Sequence, residues 1–102
     1  MPTKQTKRNK YLPSILEEAD KLVNEDRQKQ YGHPYDNWNH IASIASAILK
    51  KPHTAEECIV VLLATKLSRE IFKTKRDNLI DAAGYLKIWD IVKTMSKHDS
   101  NR

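Results

Sequence analysis

Asp77 and Asp81 stand four residues apart in a stretch that reads as helix, so their carboxylates share one face. Such a pair can hold a Mg²⁺-type ion, a hard cation that takes oxygen ligands and keeps waters for contact with phosphate. It can equally be a first-turn acid favoured by the helix dipole beside a solvated or salt-bridged neighbour. Gly84 and Tyr85 continue along the same edge. A glycine inside a helix costs about 1 kcal/mol relative to alanine, so Gly84 needs a reason: a closely approaching helix, which is the commoner one, or room for a ligand. Upstream, Lys66 and Arg69 lie at i, i+3 directly after an apolar run, which sets at least one of them at the edge of a core. A cation there requires a partner, because an unpaired buried charge is costly. Counting outward from the basic turn Lys73-Thr74-Lys75-Arg76 sets Arg69 and Lys66 opposite Asp81 and Tyr85. The cations then either bind an anionic ligand or are neutralised by Asp77 and Asp81 in a structural network.

A third group lies in EDRQKQYGHPYDN, from Glu25 to Asn37. Asp26, Arg27, Tyr31, His33, Asp36 and Asn37 can all hydrogen-bond or stack, and the Gly32-His33-Pro34 turn fixes their directions. A helix starting here presents free N–H groups that attract anions such as phosphate. Tyr31 and Tyr35 can stack a nucleobase or cover the core; His33 reads first as a turn residue. His40, His53 and His98 show no metal-ligand spacing with one another or with Cys58, and no Ser-His-Asp order, P-loop or Gly-rich dinucleotide loop occurs.

Four helical segments must position these groups, giving an all-α single domain, a helical bundle with short loops and antiparallel neighbours. The first opens with a capping box, Ser14 to Glu17, and carries the stripe Ile15, Leu16, Ala19, Leu22, Val23. It fades near Lys29, before Gly32 and Pro34 stop it through free φ and a missing N–H. The second runs from Tyr35–Asn37 to about Leu49, with the stripe Trp38, Ile41, Ala45, Ile48, Leu49. The third opens with Thr54 and Glu57 as a second capping box. It is apolar on nearly every side from Cys58 to Ala64, which predicts the central, most buried helix and hints at a homo-oligomer. The fourth starts near Asp77 or Asn78 and runs to about Met95. Residues 13–95 are thus the helical domain, with 1–12 a basic flexible tail and 96–102 a second tail.

The net charge of +5 on 102 residues points first to nucleic acid. Its distribution argues otherwise: residues 11–92 hold 11 basic and 12 acidic side chains, so the excess lies in the tails. Nucleic-acid binding would be weak and salt-sensitive, through those tails alone. One cysteine excludes an internal disulfide and fits a reducing compartment. No apolar run approaches the roughly 18 residues of a membrane span, and no apolar segment of signal-peptide type follows the basic N-terminus. The expectation is a cytoplasmic protein with no membrane partner.

Three motifs together, Asp26-Arg27-x-x-x-Tyr31-Gly32-x-Pro34-x-x-Asn37, Lys66-x-x-Arg69 and Asp77-Asn78-x-x-Asp81-x-x-Gly84-Tyr85, resemble a family of small phage and prophage proteins of unknown function. The resemblance spans about residues 15–90 and implies phage origin without an activity. More distantly the arrangement is similar to the all-α nucleotide pyrophosphohydrolases of the MazG type, which imply Mg²⁺ held by E-x-x-E and E-x-x-D motifs, and dimers or tetramers. Here Glu17 and Asp20 give one E-x-x-D, Asn78 stands where an acid is expected, and Glu56 and Glu57 lie at a helix start. The combination suits a phosphorylated ligand better than two-metal hydrolysis.

The leading expectation is therefore a nucleotide or nucleotide-derived ligand, hydrolysed with Mg²⁺ or sequestered as a counter-defence sponge. Its candidate contacts are Asp26, Arg27, Tyr31, Gly32, His33, Asn37, Lys66, Arg69, Asn78 and Tyr85, with Asp77 and Asp81 for a metal. The alternative is an interaction protein that inhibits a host protein, its polar motifs forming a structural ion network.

Overall fold

The computed structural model describes the backbone of residues 13–100 and the side chains of 13–96. Its elements are α1 (Ile15–Lys21), a π-helical turn (Leu22–Asp26), α2 (Arg27–Tyr31), α3 (Pro34–Leu49), α4 (Ala55–Phe72) and α5 (Arg76–Ser100), with no strand among the described residues. Because α1, the π turn and α2 run on without a break in right-handed helical backbone, the chain forms four rods. Both capping boxes close as their sequences predict: Ser14 Oγ accepts from the Glu17 N–H and Thr54 Oγ1 from the Glu57 N–H, while each glutamate bonds back to the cap's N–H. The last helix runs to Ser100, past Met95; residues 1–12 and 101–102 of the two tails lie outside the described residues.

The π turn determines what the first rod can face. An α-helix turns about 100° per residue, so residues spaced by four drift by about 40° at each step. A π turn is underwound, and its i→i−5 bond is present here from the Arg27 N–H to the Leu22 carbonyl. The underwinding takes back part of the drift, which keeps Ala19, Val23, Arg27 and Tyr31 aimed at one region. Ala19 and Val23 are buried, whereas Arg27 and Tyr31 are exposed farther along the same line.

The turn into α3 is set by three adjacent residues. Gly32 has φ +81° and ψ −169°, a conformation essentially confined to glycine, and its N–H donates to the Gln28 carbonyl at 2.9 Å. His33 is the N-cap: its Nδ1 accepts the Tyr35 N–H at 3.1 Å. Pro34 follows as the first helical residue, where its absent N–H costs nothing. At the other end of α3, Lys50 adopts the left-handed conformation (φ 58°), and Ser46 Oγ clasps the loop by accepting the His53 N–H and donating to the His53 carbonyl.

The central helix is α5, which corrects the expectation placed on the third rod. Helix α5 packs against α1, the π turn, α3 and α4. Its Ile80 and Ala83 join Ala19 in one buried cluster, and its Ile88 and Val92 join Val23, Trp38, Ala42, Ala55 and Ile59 in the larger one. Ala82 and Ala83, adjacent on the helix and pointing to different sides, are both buried. Helix α4 buries only Ala55 and Ile59, and its Ile71 and Phe72 are 88% and 92% exposed. Its all-round apolar character thus serves two faces, one on α3 and α5 and one open. The α3 stripe is likewise shorter than its periodicity suggests: Trp38 and Ala42 are buried while Ile48 and Leu49 are exposed. Among the described residues no buried cluster takes in Ile48 or Leu49, so the apolar side of the last turn of α3 stays open.

Candidate functional site

Every rod contributes to one open cavity of about 510 Å³. Leu22 and Val23 of the π turn, Arg27 and Tyr31 of α2, and Gly32 with Pro34 form one side. Asn37, Trp38 and Ile41 of α3 face Leu62 and Lys66 of α4, and Ile80, Asp81, Gly84, Tyr85 and Ile88 of α5 complete it. The Trp38 and Tyr85 rings meet edge to face, centroids 5.9 Å apart, which fixes both aromatic walls. The volume lies within the roughly 300–1,000 Å³ of small-molecule sites, and the lining is the usual mixture of apolar walls with few polar groups.

Gly84 resolves between its two expected reasons. A Cβ built there would meet only the Val23 Cγ2, at 3.6 Å, an ordinary van der Waals distance. Close backbone packing therefore does not require the glycine. What the missing methyl leaves is space in the cavity wall.

Lys66 Nζ lies 2.8 Å from Asp81 Oδ2, and the two side chains are 20% and 26% exposed. This corrects the register counted from the turn: Lys66, not Arg69, stands opposite Asp81. The cause is the α4–α5 connection, where Glu70 Oε1 accepts both the Lys75 N–H (2.8 Å) and Asn78 Nδ2 (3.3 Å). Asn78 is buried in that clasp and lines neither cavity described here, and Arg69 is exposed and lines neither. His33 is also absent from the lining, occupied as the α3 cap. Arg27 has no ion-pair partner among the described residues, and the Asn37 side chain has no hydrogen-bond partner among them.

A second cavity of about 440 Å³ adjoins the first and shares Leu22, Arg27, Ile80 and Asp81 with it. Its remaining lining is Glu18, Lys21, Asp26 and Asp77, so Asp26 and Asp77 face this space and not the apolar one. Glu18 is ion-paired to Arg76, which also donates to the Pro13 carbonyl at 2.6 Å. Among the described residues no three His, Cys, Asp or Glu side chains stand close enough together to hold a metal ion. Asp81 is engaged by an ammonium group, so Asp77 and Asp81 are not two free ligands. The acids of the first helix are also committed: Glu17 closes its capping box and Asp20 pairs with Lys87. Sequence reasoning missed Trp38 and Ile41 as site walls because each is also a good core residue. It missed the hydrophobic side of the site altogether (Leu22, Val23, Leu62, Ile80, Ile88) for the same reason.

Comparison with known proteins agrees with the motif pattern. A family model, a domain of unknown function (DUF6378), matches residues 14–93 and includes all three motifs. The chain belongs to the DUF6378 family. A relative of this chain is the Gene 55 protein of Mycobacterium phage D29, 37% identical over 73 residues, which cover 71% of this chain and 48% of that protein. The chain thus spans about half the length of that relative. These matches support a phage protein of unknown function. No solved structure matches this DUF6378 chain. No helix among the described residues is long and apolar enough to cross a membrane.

Proposed function

We propose that this phage-type protein binds a nucleotide or nucleotide-derived phosphorylated ligand in the 510 Å³ cavity and holds it, as a sponge for a host defence signal would. The observation that carries the reading is convergence: Arg27, Tyr31, Gly32 and Asn37 of the first motif, Lys66 of the second, and Asp81, Gly84 and Tyr85 of the third line one space. A merely structural role for these motifs would not require them to share a wall with open volume. Arg27 and Lys66 supply cations, Asn37 an uncommitted amide, and Tyr31, Trp38 and Tyr85 aromatic surface for a base. Holding is favoured over MazG-type Mg²⁺-dependent hydrolysis because Lys66 already engages Asp81, while Glu17 closes a capping box and Asp20 pairs with Lys87.

The test is incubation of the full chain with a nucleotide panel and Mg²⁺, followed by denaturation and chromatography. Intact ligand recovered from the protein supports sequestration. Release of pyrophosphate or monophosphate, abolished in Asp81→Ala, supports hydrolysis. No thermal shift with any nucleotide overturns both, since a bound ligand at a hundredfold excess over Kd adds about 2.7 kcal/mol.

A second reading has its own observation. Val60, Ala64, Leu67 and Ile71 recur at alternating four- and three-residue steps along the open face of α4, the spacing of a helix-pairing seam. This favours an interaction protein that docks on a host helix or on its own copy. Leu67→Glu with Ile71→Glu would then abolish the interaction, read by size-exclusion chromatography and pull-down, without affecting nucleotide-induced thermal shift.

A further inference from the structure

We infer that the ligand carries a single phosphate group, a phosphodiester being better matched than a monoester, and is not a polyphosphate. The inference rests on the nucleotide reading of the cavity and narrows it. The charges lining the apolar cavity are Arg27, Lys66 and Asp81, a net of one positive charge. Lys66 is already half spent, since Asp81 Oδ2 stands 2.8 Å from its Nζ. One anionic group is therefore balanced there, and each further charge is not.

The direction in which a phosphate chain could grow makes this selective. Arg27 and Asp81 are shared between the two cavities and mark the junction between them. On one side of that junction lie Trp38, Gly84 and Tyr85, the apolar and aromatic space that suits a base and sugar. On the other lie Asp26 and Asp77 against Lys21, with Glu18 neutralised by Arg76. A β- or γ-phosphate reaching past Arg27 enters a region whose unbalanced charge is negative. Like charges within roughly 10 Å at an effective dielectric of about 20 repel by about 1.7 kcal/mol, enough to lower affinity about tenfold or more per added charge. The Lys66–Asp81 pair thus acts as a limiter: it leaves the cavity cationic enough for one phosphate and no more.

The experiment is isothermal titration of the full chain with four series, built on adenosine, guanosine, cytidine and uridine. Each series comprises the nucleoside, 3′,5′-cyclic monophosphate, 5′-monophosphate, 5′-diphosphate and 5′-triphosphate, in EDTA and again in Mg²⁺. The expected result is tightest binding of a 3′,5′-cyclic monophosphate, then the 5′-monophosphate, with affinity falling about tenfold or more to the triphosphate and the nucleoside. Asp81→Asn, which removes the limiter and retains an acceptor for Lys66, should tighten monophosphate binding and narrow the gap to the triphosphate. Tightest binding by a triphosphate, with or without Mg²⁺, overturns the inference and leaves the nucleotide reading standing. Equal binding of nucleoside and monophosphate, or unchanged selectivity in Asp81→Asn, overturns it too. No binding in any series overturns the nucleotide reading itself, and with it the inference.

Discussion

Replacing Gly84 by alanine separates the demands of folding from those of the site. The new Cβ would lie 3.6 Å from Val23 Cγ2 and within 4 Å of no other group outside its own helix, so no neighbour has to move. Relative to glycine, alanine in a helix interior gains about 1 kcal/mol. Burying the methyl against Val23 adds up to about 0.8 kcal/mol. The substitution should therefore stabilise the free protein by about 1–2 kcal/mol, and each kcal/mol raises the Tm of a domain this size by roughly 4–8 °C. The same methyl stands in the wall of the cavity, where an added carbon in a filled site costs about 1–3 kcal/mol. A rise in Tm by calorimetry, together with weaker binding of the preferred nucleotide by titration, is expected. A fall in Tm would show that α5 and the π turn pack more tightly than described. A rise in Tm with unchanged binding would show that the space beside Gly84 serves no ligand.

Gly32→Ala should cost about 1–3 kcal/mol, because φ +81° with ψ −169° is strained for any side chain even though the surroundings are open; chemical denaturation measures it. Lys50→Gly should instead stabilise by about 1 kcal/mol, relieving the left-handed backbone at the end of α3, and an unchanged denaturation midpoint would contradict that. Glu57 gives a pH dependence: bonds from the Thr54 backbone N–H and side chain hold its carboxyl below the ordinary value of 4.5. A lowered folded-state pKa means its contribution is present above 4.5 and is lost as pH falls through the lower folded value. The Tm difference between the protein and Glu57→Gln should accordingly be constant near neutral pH and shrink below that point, and a difference that persists into strong acid would refute the assignment.

Local structure was legible in the residues because it depends on neighbours in sequence. Ser14 and Glu17, and Thr54 and Glu57, close their boxes within one turn, and Gly32-His33-Pro34 stops one helix and starts the next by backbone geometry alone. The all-α class followed from the same short-range periodicity. The partners of Lys66 and Arg69 were not legible, since they depend on how Glu70, Lys75 and Asn78 tie the α4–α5 turn. A shift of one helical turn there puts Lys66 on Asp81 and leaves Arg69 outside.

Composition and pattern by themselves determined the number of rods, their caps and turns, and the near-neutral body between basic ends. They also gathered the motif residues as candidates, without deciding which of them meet. Tertiary structure decided that α5 and not the third rod is central, because α5 meets α1, the π turn, α3 and α4 while α4 meets α3 and α5 and leaves its outer face open. It also decided that the π turn keeps Arg27 and Tyr31 over the cavity, a matter of a few tens of degrees of helical phase. Hydrophobic periodicity reports that a residue is apolar and on a face. Only packing says whether that face meets a helix, a cavity or open solvent.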